Sequence, residues 1–391
     1  MPTNHKRFEL SILGCSGGPI SSRTCAYLLK PANISYSEII LSVAEERGAR
    51  KPLLAIDAGA GLTAISELVL EGDSKNPKDN FIISIYDDHQ SQYEEFNFYQ
   101  NTGNLEVSHP FACVGSKSSV SLAPLEASWK IINSITAYLI THPHLDHLSG
   151  LVINSPSFKD SKDVYGLPQT MNTIRSSLFN GHVWPDLISE GLINLHEISP
   201  YIDEHSMCDF YNVECFPVAH GDIQNGRFLS SAFLITDKLT QDSIIIFGDL
   251  ESDYSSSKDY NRKIWELISP LVLKDKLNTI IIECSTIDKP PPLYGHMTPT
   301  SLIRELLALR KYCFDKKFLQ KTISHSAESV VYIQSEFQPL KAMNVIVTHV
   351  KEVPAAVNPR TLIFRQLNDL NCKYALGINF TIALPGLSYI L

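Results

Sequence analysis

No apolar run in the 391-residue chain approaches the length of a membrane span, which argues against a helical membrane protein. The first residues, Met1 to Leu13, are charged and then only briefly apolar, too short for a signal peptide. Cys15, Cys25, Cys113, Cys208, Cys215, Cys284, Cys313 and Cys372 form no Cys-x-x-Cys pair and no dense framework. They read as mostly buried, reduced thiols of a soluble, cytoplasmic protein. A basic excess is missing too: the formal net charge of −9 argues against broad attraction to nucleic acid or to an anionic membrane. Neither Gly-x-Gly-x-x-Gly nor a P-loop occurs, so Gly14, Gly17 and Gly18 read as tight turns and no nucleotide cofactor is assigned. There is no internal repeat and no low-complexity tract.

With 44% hydrophobic residues, the chain can bury a large core. Phe8 to Leu13, Cys25 to Leu29 and Lys51 to Ile56 read as strands; the last ends in Asp57-Ala58-Gly59-Ala60-Gly61, ahead of a helix over Leu62 to Leu70. From about Asp73 to Ser121 the chain is polar and acidic, with one aromatic cluster at Tyr93 to Tyr99. That stretch reads as an irregular insertion in a single domain covering 1–391. Further strands are expected at Asn212 to Ala219, Ser230 to Thr236, Ser243 to Phe247, Thr279 to Glu283 and Met343 to Val347, with amphipathic helices over Tyr260 to Ile268 and Thr300 to Phe314.

Chemistry concentrates at Thr141-His142-Pro143-His144-Leu145-Asp146-His147, which follows a strand-like run from Ile135 to Ile140. In an extended segment residues two apart point the same way, so His142 and His144 can serve one ion while Asp146 and His147, at the turn beyond, face a second. Helical His-Glu-x-x-His spacing is absent, which disfavours a zincin-type protease. Three more potential ligands follow apolar runs: His220, Asp249 and His349. Strand ends on one sheet edge bring distant residues together and could complete two coordination shells there.

The order His-x-His-x-Asp-His, then His, Asp and His, resembles the metallo-β-lactamase superfamily. The run from His142 to Pro156 resembles the signature of the class II cyclic-nucleotide phosphodiesterases, best known from fungi. Shorter echoes at Asp57 to Gly61, Val218-Ala219-His220-Gly221, Glu283-Cys284-Ser285 and Leu293-Tyr294-Gly295-His296-Met297 extend it over nearly the whole chain. The resemblance implies an α/β (α+β) fold, a four-layer αββα sandwich with a long insertion. It assigns His142, His144 and His220 to one metal and Asp146, His147 and His349 to the other, with Asp249 bridging. It makes Asp146, His296 and Glu283 the catalytic residues, His296 as proton donor and Glu283 holding its ring. The nitrogen-rich set suits two divalent ions, most simply Zn²⁺, while the carboxylates also permit Mn²⁺ or Fe. The implied reaction is hydrolysis of 3′,5′-cyclic AMP, with cyclic GMP a second candidate, to the 5′-nucleotide, lowering cAMP signalling.

Asp57 could orient a ligand histidine or cap the following helix. His182 and Trp184 could reach a base, although a Trp packed under a loop is the commoner arrangement. A tRNA 3′-processing endoribonuclease of the same superfamily competes, but its polyanionic substrate wants a basic face. A non-catalytic scaffold would be expected to have lost ligands. Partners reduce to the small cyclic nucleotide, with no nucleic acid and no membrane; a homodimer is the default because symmetric dimers are the commonest oligomers.

Overall fold

The computed structural model describes residues 7–45, 52–72, 80–88, 105–112, 114, 122–202, 204–223, 226–319 and 337–391. Strands β1 (Phe8–Gly14), β2 (Ala26–Pro31), β3 (Leu53–Ile56), β4 (Glu106–Ser108), β5 (Ile135–Leu139), β6 (Lys162–Gly166), β7 (Ile193–Glu197) and β15 (Ser388–Ile390) form an eight-stranded sheet. Its order is β4-β15-β1-β2-β3-β5-β6-β7. A seven-stranded sheet combines β8 (Glu204–Met207), β9 (Tyr211–Ile223), β10 (Gly226–Asp237), β11 (Ser243–Phe247), β12 (Leu277–Glu283), β13 (Asn344–Thr348) and β14 (Asn379–Ile382), in the order β14-β13-β12-β11-β10-β9-β8.

The side-chain period of a strand divides the first sheet between two cores. Phe8, Leu10 and Ile12 of β1 and Leu54 and Ile56 of β3 join the core shared with the second sheet. Leu13, Leu53 and Ala55 pack instead with Tyr36, Ile65, Ile131 and Leu148 from outer helices. In the second sheet, the Ile and Val runs of β11 to β13 are buried throughout, as expected where parallel strands are covered on both faces. The helices Tyr260–Leu273, Pro299–Phe314 and Pro359–Tyr374 supply that cover through Trp265, Leu302 and Ile363. The result is the expected four-layer αββα sandwich.

Several boundaries differ from the sequence reading. The helix over Tyr260–Leu273 runs through Pro270 rather than stopping before it. Pro270 leaves the Glu266 carbonyl without its i+4 amide, and Ser269 Oγ donates to that carbonyl at 3.0 Å. Lys162–Gly166 is a strand for which the sequence reading gave no expectation. Of the stretch 73–121, residues 73–79, 89–104, 113 and 115–121 lie outside the described residues, including Tyr93 to Tyr99. The rest is partly core: β4 pairs with β15, and Ile82, Ile83, Tyr86 and Phe111 are buried. Among the described residues no helix is long and apolar enough to cross a membrane, and every described cysteine is free.

Candidate metal centre

The carboxyl ends of β3, β5, β11, β12 and β13 open toward one edge of the sandwich, and Asp57, His142, Asp249, Glu283 and His349 sit at or just beyond them. His142 and His144 lie in the extended segment after β5, while Asp146 and His147 occupy the first turn of the helix Leu145–Asn154. The helix therefore starts inside the motif, where a turn was expected, and Asp146 there complements its dipole. His220 lies within β9 rather than after a strand, because β9 runs on to Ile223.

These residues converge in two groups that meet at Asp249. On one side His144 Nδ1 is 3.0 Å from His142 Nε2 and 3.3 Å from His220 Nε2, and these two Nε2 atoms lie 3.7 and 3.6 Å from Asp249 Oδ2. On the other, His349 Nε2 is 3.0 Å from Asp249 Oδ2 and 3.4 Å from Asp146 Oδ2. His147 Nε2 is 3.3 Å from Asp249 Oδ1 and 3.8 Å from Asp146 Oδ2.

The outer nitrogens are occupied elsewhere, which aims the inner ones. His147 Nδ1 donates to Asp57 Oδ2 at 2.7 Å and His220 Nδ1 to the Gly295 carbonyl at 2.8 Å. His142 Nδ1 meets Thr141 Oγ1 at 3.1 Å, and His349 Nδ1 meets Ser285 Oγ at 2.9 Å. Buried polar atoms are normally paired, yet His147 Nε2 and Asp249 Oδ1 are buried without a hydrogen-bond partner. Clustered, partner-poor imidazole and carboxylate atoms fit a divalent cation well.

The two sides differ electrostatically. Burial, reinforced by neighbouring imidazoles, pushes His142 well below the ordinary histidine value and His144 down to about 4. Burial also opposes charge on His147 and His349, but Asp249 and the other carboxylates outweigh it, raising His147 well above its ordinary value and His349 to about 9. For Asp146, hydrogen bonding to His349 and the charge of His147 overcome burial and bring it to about 2.

Beside the cluster, His296 Nδ1 is 3.0 Å from Glu283 Oε1. Burial works to raise the Glu283 carboxyl, but His296 and His349 hold it below its ordinary value. Asp57 is not a helix cap: its carboxylate accepts from His147 and from the Thr141 amide at 2.8 Å, while Asn154 Oδ1 accepts from Leu62 N at the helix start. Trp184 packs against the outer core, and His182 is exposed. His196 pairs with Asp163 at 3.0 Å, whereas His5, His89 and His325 lie outside the described residues.

Sequence reasoning passed over several neighbours. Phe228 of β10 stacks on the His144 ring with centroids 4.7 Å apart. Behind His349, Arg360 pairs with Glu352 at 2.7 Å, and Tyr86 Oη donates to Glu352 Oε2 at 2.7 Å, tying the loop after β13 to the segment 80–88. Glu352 and Arg360 bracket a largely apolar segment, which marks them as a candidate pair, whereas no spacing marks Phe228 or Tyr86.

Two stacked sheets between helices, with His and Asp residues gathered at one edge, are the arrangement that the resemblance to the metallo-β-lactamase superfamily implies. A family model described as class-II cAMP phosphodiesterases matches residues 69–386. A 3′,5′-cyclic-nucleotide phosphodiesterase of Candida albicans is 34% identical, covering 98% of this chain and 99% of its own. 3′,5′-cyclic-nucleotide phosphodiesterase 1 of Saccharomyces cerevisiae is 32% identical over 97% and 98%. The crystal structure of unliganded yeast PDE1 superposes with a TM-score of 0.77 at 29% identity, covering 99% of this chain and 100% of that one. The chain belongs to the class II cAMP phosphodiesterase family.

Proposed function

We propose that this chain, acting as one domain, hydrolyses 3′,5′-cyclic AMP to 5′-AMP with two divalent ions, most simply Zn²⁺. His142, His144 and His220 would hold one ion and Asp146, His147 and His349 the other, with Asp249 between them. The observation that carries this reading is the convergence of inner-facing imidazole and carboxylate atoms on Asp249, with His147 Nε2 and Asp249 Oδ1 buried 3.3 Å apart and neither in a hydrogen bond. The ions would supply water activation at neutral pH and neutralise the phosphoryl oxygens.

The chain's own residues would do the rest. Thr141, Asp57, Gly295 and Ser285 hold four of the five ligand imidazoles, His142, His147, His220 and His349, by their outer nitrogens. Cleavage to the 5′-nucleotide expels the ribose 3′ oxygen, a poor leaving group that needs a proton. Glu283 takes the Nδ1 hydrogen of His296, which leaves Nε2 of the imidazolium to deliver one. Phe228, stacked on His144, forms an apolar wall of the site.

The test is a purified-protein assay against cyclic AMP, cyclic GMP and a tRNA precursor, with metal analysis on the same sample. Formation of 5′-AMP by protein carrying close to two ions per chain, and its loss on chelation, is expected. A cyclic phosphate carries one charge, so its binding should depend weakly on salt, whereas a polyanion would bind with a steep salt dependence. Salt-sensitive tRNA cleavage without 5′-AMP, or 3′-AMP as product, would overturn the assignment.

A further inference from the structure

Ser285 is a hydroxyl at which three groups of the site meet. Its Oγ lies 2.5 Å from Glu283 Oε2, 2.9 Å from His349 Nδ1 and 3.3 Å from His296 Nδ1, and the residue is buried. Hydrogen accounting fixes the directions. A carboxylate only accepts, and serine has a single hydrogen to give. Glu283 Oε1 accepts from Leu250 N and His296 Nδ1; Oε2 accepts from Ser285 Oγ and Met297 N. Glu283 Oε2 can only accept, so in this contact the serine hydrogen goes to Glu283. Ser285 is then left with lone pairs only, and the Nδ1 hydrogen of His349 fills one. His349 Nε2 is thereby turned toward Asp249 and Asp146 as the coordinating nitrogen.

The same device occurs across the site. Thr141 Oγ1 donates to Asp57 Oδ2 at 2.9 Å and faces His142 Nδ1 at 3.1 Å, while Asp57 itself holds His147. Each carboxylate thus holds one imidazole directly and a second through a hydroxyl. Glu283 differs in that its direct imidazole is His296, which is not one of the seven proposed ligands.

We propose that Ser285 is a positioning residue that sets the His349 tautomer, and so the affinity of the Asp146, His147 and His349 side for its ion, while joining that side to His296 through Glu283. This rests on the binuclear reading above. The backbone of Ser285 is held independently of its hydroxyl, since its amide donates to the Met297 carbonyl and its carbonyl accepts from Lys351 N. Ser285→Ala therefore removes the hydroxyl alone.

Zinc titration of chelated protein, with a melting curve on each variant, reads the ion affinities. NMR of the zinc-loaded protein reads the His349 ring N–H proton. Ser285→Ala should weaken one ion about 10- to 100-fold, the usual effect of losing a partner of a ligand imidazole, and leave the other unchanged. It should also expose the His349 N–H to solvent exchange, and Ser285→Thr should restore both. Wild-type affinities with a still-protected N–H in Ser285→Ala would overturn the proposal. So would equal weakening of both ions with a lowered melting temperature, which marks a general packing role. A wild-type chain that takes up one ion would refute the binuclear reading instead, and the His349 N–H would still decide the role of Ser285.

Discussion

Asp57 Oδ2 accepts the Nδ1 hydrogen of His147 at 2.7 Å, across 90 residues of sequence. Asp57 stands just past β3 in the left-handed region, with φ 53°, and its other oxygen takes the Thr141 amide. One side chain therefore orients the His147 ring and closes the segment that leads into His142. Asp57→Ala should weaken ion binding about 10- to 100-fold. It should also cost about 1–3 kcal/mol of stability, because the buried Thr141 amide loses its acceptor. Zinc titration and urea denaturation of the same variant measure the two effects.

Asp249 and His296 should separate in kind. Asp249→Ala removes the group on which both sides converge and should abolish turnover and ion retention together. His296→Ala should keep its ions and slow cleavage roughly 10²- to 10⁴-fold, the usual worth of a positioned general acid. A substrate analogue whose leaving group needs no proton should rescue His296→Ala far more than Asp249→Ala. Equal rescue would remove His296 from the acid role.

Stability of the chelated protein should fall with rising pH. His349 is raised from 6.5 to about 9 in the folded chain by Asp249 and its hydrogen bonds, against burial. A raised histidine contributes stability that is fully present below its unfolded value and is lost as pH climbs through the folded one. The window is therefore about 6.5 to 9. Ion binding requires the deprotonated ring, so zinc-loaded protein should gain stability over the same window. Melting temperatures at pH 6.5 and pH 9, with and without zinc, check both signs; parallel slopes would contradict them.

Gly17→Ala should disturb His349 from the opposite flank. A β-carbon at Gly17 would stand 2.6 Å from His349 Cε1 and Nδ1 and 2.8 Å from its carbonyl oxygen, closer than atoms pack. His349 is already in the left-handed region at φ 57° and has little freedom to yield. Loss of one ion per chain, with the other retained, is the expected outcome by elemental analysis.

Local pattern carried much of this protein. The spacing of His142, His144, Asp146 and His147 announced two groups of imidazole and carboxylate side chains because adjacent residues inherit their directions from the backbone. The apolar runs ending near Asp249, Glu283 and His349 announced strands for the same reason. A period is a property of a few neighbouring residues, and the sequence displays it directly. The resemblance then supplied order over the whole chain, which the family match and the αββα layers bear out.

Tertiary structure decided what no period encodes. Asp57 offered two uses, and only the approach of the helix Leu145–Asn154 chose His147 over a cap. Ser285 and Thr141 are single hydroxyls with no pattern around them; each matters through a carboxylate and an imidazole brought within about 3 Å by packing. Tyr86 and Glu352 meet 266 residues apart, so a stretch that read as irregular helps hold the loop after His349. Hydrogen bonds are short-ranged and directional, and their partners are selected by how the sheets and helices stack. Sequence therefore determined which residues could hold ions, and the stacking of β3, β5, β11, β12 and β13 decided which groups hold them in turn.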